Sequence, residues 1–157
     1  MHQLLEVCAK NYPDNEAVID KNSSITYREL DELSNRLAYV LKSNGVIRGD
    51  RVGICLDPSI EEVVAIYGIL KAGAAYVPMD SYTPVQRVAF MIENCGIKAL
   101  VTTGQTITKF YTEEVIDKVF SYVQCVIMKV VLSKDLLRLQ SRILDSMSIL
   151  QLQAFLE

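Results

Sequence analysis

The stretch LKAGAAYVPMD, residues 70–80, decides the fold: it runs from the end of a predicted helix into a short apolar strand. Gly73 lies where that helix ends, a position at which the backbone often needs the positive φ that glycine tolerates. Ala74 and Ala75 let helix and strand approach closely, and Pro78 closes the strand where no further ladder donor is needed. The stretch therefore predicts a junction between a helix and a parallel strand, the unit of an α/β sheet.

The segments around this junction repeat the same alternation of strand and helix. Short apolar strands are predicted at residues 51–56, 75–79 and 98–102, and a helix is predicted in each gap between them. Glycine or proline occurs in the connections between these elements, as is typical of turns and loops. Residues 48–103 therefore predict a partial doubly wound parallel sheet with flanking helices, an α/β fold.

The segments before the sheet predict a helix, a hairpin and a second helix. Residues 3–10 form an amphipathic helix, and residues 16–20 and 24–27 form a small hairpin. Thr26 and Glu29 have the spacing of a capping box, in which each side chain bonds the backbone amide of the other. The helix that follows carries a stripe of leucine and valine and stops at the next glycine.

Two further capping boxes are predicted at the helices beside the sheet. Ser59 with Glu62 opens the first of these helices. Thr83 with Gln86 opens the second, and Pro84 stands at the first helical position, where proline is preferred. These signals define the predicted starts of both helices.

Composition limits the classes of function. The 157 residues are 50% hydrophobic and 22% charged with a net charge of −3, so we expect a packed core and no nucleic-acid surface. No apolar run has the length of a signal peptide core or a membrane span, so we expect a cytoplasmic protein without a membrane partner. The four cysteines lack CxxC spacing and the single histidine is His2, so no metal site is predicted.

Several phrases of the sequence resemble the amino-terminal part of the adenylation domains of nonribosomal peptide synthetases, in the AMP-dependent, adenylate-forming ligase superfamily. The resemblance covers roughly residues 1–103. Its motifs stand in the expected order and spacing: ITYREL at 25–30, NRLA at 35–38, GDRVGI at 49–54, the stretch at 70–80, and YTP at 82–84 followed by Arg87. The resemblance implies a family that activates a carboxylate with ATP and Mg²⁺ and passes the acyl group to a thiol.

The sequence lacks the residues that would carry out the central step of the chemistry that the resemblance implies. Activation with ATP needs a glycine- and serine/threonine-rich loop with a lysine, because the departing pyrophosphate must be neutralised. Residues 101–106, VTTGQT, contain one glycine and no following Pro-Lys-Gly, and they are interpreted as a strand end and linker. The later aspartate motifs and the catalytic lysine of the family have no counterpart, and neither Lys129 nor Lys134 fits that role. We therefore predict no catalytic residue and no adenylation activity for this chain by itself.

After a linker at residues 104–112, residues 113–157 resemble part of an acyl or peptidyl carrier domain. Residues 113–127 predict a helix, and a second helix begins at Asp145-Ser146-Met147. In carriers the serine of this motif takes a phosphopantetheine arm, so the resemblance makes Ser146 the candidate attachment site and phosphopantetheine the candidate cofactor.

An alternative interpretation of this motif stays open. Asp145 or Ser146 can simply be an N-cap, because both residue types are favoured there. Arg142 stands where carriers commonly have glycine, and the sequence stops before the remaining carrier helices.

Three functions follow from these observations. The first, and preferred, is a fragment of an amino-acid-activating module, inactive alone, whose partners are other synthetase modules or a complete adenylation domain. The second is a carrier or docking protein that a phosphopantetheinyl transferase modifies at Ser146. The third is a structural fragment that forms homo-oligomers through an exposed sheet edge. The amino-acid substrate is not predicted, since the pocket of such domains lies in a part without counterpart here.

Overall fold

The structure is a computed structural model that describes residues 2–21, 23–103 and 124–127. The helices of these residues are α1 (His2–Asn11), α2 (Tyr27–Ser43), α3 (Ile60–Ala72) and α4 (Val85–Cys95). The strands are β1 (Glu16–Ile19), β2 (Ser24–Thr26), β3 (Arg51–Cys55), β4 (Ala75–Pro78), β5 (Ile97–Thr102) and β6 (Gln124–Ile127). None of the described helices is long and apolar enough to span a bilayer.

The main sheet has four parallel strands in the order β4-β3-β5-β6. The chain moves from β3 to β4 on one side and then crosses back to β5 on the other, which puts α3 and α4 on opposite faces of the sheet. The short strands β1 and β2 form a separate antiparallel pair. The predicted parallel α/β sheet and the predicted hairpin are both confirmed.

Strand β6 corrects one prediction. Residues 124–127 pair in parallel with β5, with Gln124 opposite Ala99 and Ile127 opposite Thr102. The helix predicted over residues 113–127 is therefore wrong at its last four residues. Valine and isoleucine are frequent from residue 123 onward, and such a run suits a strand inside a sheet better than a helix. The other residues of this predicted helix, the linker at 104–112 and residues 128–157 lie outside the described residues.

The two faces of the sheet carry separate cores. Val52, Ile54 and Val101 point to the face covered by α1, α2 and α3 and belong to the larger cluster of buried side chains. Cys55 and Leu100 alternate with them and belong to a smaller cluster that includes Met79 of the turn after β4 together with Val88 and Ile92 of α4. This alternation is the period of two expected for a strand with both faces buried.

Close packing of α2 on α3 depends on Gly68. A Cβ atom at this position would lie 2.7 Å from Cδ2 and 2.8 Å from Cβ of Leu37, a side chain with no exposed surface. The helix α3 then ends at Gly73, whose φ of 86° lies in the left-handed region, as the sequence predicted. This junction lets the chain turn directly into β4.

The three predicted capping boxes have different outcomes. The Thr26 hydroxyl accepts from the Glu29 amide at 3.3 Å, and Glu29 Oε2 accepts from the Thr26 amide at 2.8 Å, so the first box is complete. At α3 the Ser59 hydroxyl accepts from the Glu62 amide at 3.3 Å, which is the first of the two bonds of a box.

The third predicted box, Thr83 with Gln86, is wrong. Pro84 is the N-cap of α4, with φ −53° and ψ 139°, and no side chain caps this helix end. The Thr83 amide instead donates to the Asp80 carbonyl at 2.9 Å, and the Tyr82 amide donates to Asp80 Oδ1 at 2.9 Å. This aspartate turn delays the helix start by one residue, so Thr83 lies outside the helix.

Candidate functional site

The carboxyl edge of the parallel sheet is the place where the fold would hold a ligand. Open α/β sheets bind ligands outside the carboxyl ends of their strands, at the point where successive connections run in opposite directions. In this sheet that point lies between β3, whose connection runs to β4, and β5, whose connection runs to β6. The segments at the strand ends here are residues 56–59, 79–84 and 102–103, of which Thr102 is the last residue of β5.

Several polar side chains at this edge make hydrogen bonds within the protein. The hydroxyl of Ser81, a residue only 5% exposed, donates to Oδ1 of Asp57, which joins the exits of β3 and β4. Asp80 organises the turn that leads into α4. The buried Thr102 donates to the Thr103 carbonyl over a long 3.5 Å. These bonds fix the shape of the edge and use its carboxylates for structure.

The charge of this edge does not suit the phosphates of a nucleotide. Residues 56–59, 79–84 and 102–103 contain two carboxylates, Asp57 and Asp80, and no lysine or arginine. The first turn of α3 adds Glu61 and Glu62, which occupy the dipole end that would otherwise attract an anion. The first turn of α4 carries one cation, the exposed Arg87, so carboxylates outnumber cations in these segments and the helix turns that follow them.

Lys71 is a buried cation that the sequence analysis did not single out. Its side chain is 5% exposed and its Nζ donates to Asp31 Oδ1 at 2.6 Å, to Asn35 Oδ1 at 2.9 Å and to the Asp31 carbonyl at 3.1 Å. An ammonium group has three donors, so all of them are used within the contact between α2 and α3. Lys71 is therefore a structural residue. The sequence signal for this role is its position in the last turn of α3, where the helix dipole favours a cation.

The other predicted site features have these outcomes. Ser146, the predicted phosphopantetheine attachment site, lies outside the described residues, and its modification stays a prediction. No catalytic residue was predicted, and this stays a prediction. Within residues 2–21, 23–103 and 124–127, no group of three or more histidine, cysteine, aspartate or glutamate side chains is arranged to hold a metal ion.

Comparison with known proteins gives matches over most of the chain. The family model described as AMP-binding enzyme matches residues 5–148. Tyrocidine synthase 2 of Brevibacillus parabrevis is 41% identical over 112 residues, which are 71% of this chain and 3% of that protein. Zwittermicin A synthase ZmaJ of Bacillus cereus is 44% identical over 110 residues, which are 70% of this chain and 21% of that protein. The chain thus spans a small part of these relatives.

Solved structures of nonribosomal peptide synthetases share the fold. The AMPPNP-bound form of FmoA3 superposes with a TM-score of 0.75 at 28% identity, over 85% of this chain and 14% of that chain. The N-terminal subdomain of NpsA from Klebsiella oxytoca superposes with a TM-score of 0.66 at 25% identity, over 83% of this chain and 32% of that chain. Sequence and fold therefore lead to the same group of proteins.

Proposed function

The chain belongs to the AMP-binding enzyme family, and we propose that it supplies the amino-terminal framework of an amino-acid-activating adenylation domain in nonribosomal peptide synthesis. The observation that best supports this role is that the chain matches peptide synthetases in both sequence and fold, over 70% and 85% of its length. The chain contributes the parallel sheet and its covering helices, and the partners are other parts of a synthetase.

A chimera tests this role. The 110 residues of ZmaJ that match this chain are replaced by the matching residues of this chain, and amino-acid-dependent exchange between ATP and pyrophosphate is measured. We expect exchange within about tenfold of the parent enzyme, since volume-conserving replacements of a core usually keep the fold. A chimera that folds, by circular dichroism and thermal unfolding, but shows no exchange would contradict the proposed role.

The proposal includes inactivity of the 157-residue chain by itself. Residues 56–59, 79–84 and 102–103 at the carboxyl edge of the sheet contain two carboxylates and no lysine or arginine, and the sequence has no phosphate loop followed by Pro-Lys-Gly. Stabilisation of the transition-state charge is usually the largest single contribution to catalysis of this kind. The purified chain is therefore expected to show no ATP–pyrophosphate exchange with any amino acid, and exchange above the no-enzyme background would refute this.

The carrier function of residues 113–157 stays a second prediction with two observations against it. Strand β6 lies inside the segment predicted as a carrier helix and belongs to the α/β sheet. The family match runs to residue 148, across Ser146. Incubation with coenzyme A and a promiscuous phosphopantetheinyl transferase, followed by intact-mass spectrometry, decides the question: a mass gain of one phosphopantetheine that Ser146→Ala abolishes would establish the carrier, and an unchanged mass would remove it.

A further inference from the structure

We draw no further inference here: the strongest candidate, the surface patch formed by the exposed side chains of Leu4 and Val7 on the outer side of α1, carries no proposal because nothing in residues 2–21, 23–103 and 124–127 shows what covers it.

Discussion

The ion pair between Lys71 and Asp31 gives the sharpest stability prediction for this chain. Lys71 is 5% exposed and Asp31 is 24% exposed in their side chains, with 2.6 Å between Nζ and Oδ1. Asp31→Ala leaves the ammonium group buried with Asn35 Oδ1 and a backbone carbonyl as its remaining acceptors. Removal of one partner of a buried pair costs about 3–5 kcal/mol, and the two remaining acceptors place the expected loss near the lower end, about 3 kcal/mol.

The reciprocal variant is expected to be milder. Lys71→Met keeps a long apolar side chain in the contact between α2 and α3, and it leaves Asp31 where water can reach its carboxylate. The expected loss is about 1 kcal/mol, because the charge left behind, the Asp31 carboxylate, is 24% exposed and stays hydrated. In the double variant Asp31→Ala/Lys71→Met no buried charge remains, so it should be more stable than Asp31→Ala alone.

Urea unfolding followed by circular dichroism measures these differences, with the midpoint and slope analysed for each variant. The assignment of Lys71 as a buried structural cation predicts that Asp31→Ala is the least stable of the three. It would be refuted if Asp31→Ala stayed within about 0.5 kcal/mol of the wild type, the usual range of surface substitutions. A double variant no more stable than Asp31→Ala would refute it as well.

Three other substitutions test the packing, the cap and the sheet edge. Gly68→Ala should destabilise the chain by about 1–3 kcal/mol in urea unfolding because the new Cβ meets Leu37, and a gain in stability would show that the helices can separate freely. Hydrogen bonds from the Thr26 amide and then its hydroxyl lower the pKa of Glu29. The wild type should be more stable than Glu29→Gln, and this difference in the free energy of unfolding should be full above the ordinary glutamate pKa. It should disappear as the pH falls through the lowered pKa of Glu29. A pH-independent difference in melting temperature would contradict this. Pro78→Val restores an outward amide on β4 and should increase self-association in light scattering, whereas an unchanged mass would show that the proline does not protect this edge.

Local signals in the sequence were sufficient for most of the described fold. The capping box of Thr26 and Glu29, the helix stop at Gly73 and the short apolar strands depend on neighbouring residues, and each is confirmed. Predictions failed where two local signals competed. At the start of α4 the turn built by Asp80 prevailed over the preference of Pro84 for the first helical position.

Tertiary partners account for the features that the sequence did not reveal. Residues 124–127 are compatible with a helix or a strand when considered alone, and their pairing with β5 decides between them. By its position in the sequence Lys71 is an ordinary cation in the last turn of a helix, and its burial depends on Asp31, which is forty positions earlier in the chain. Neither the pairing of residues 124–127 with β5 nor the contact of Lys71 with Asp31 can be predicted from sequence spacing.

The amino-acid preference of the ZmaJ chimera tests the central claim most directly. This chain is proposed to supply framework and not the amino-acid pocket, so the chimera should exchange pyrophosphate with the same preferred amino acid as the parent ZmaJ. An active chimera with the parental preference would support the framework role. A folded chimera that is inactive, or one whose preferred amino acid has changed, would contradict it.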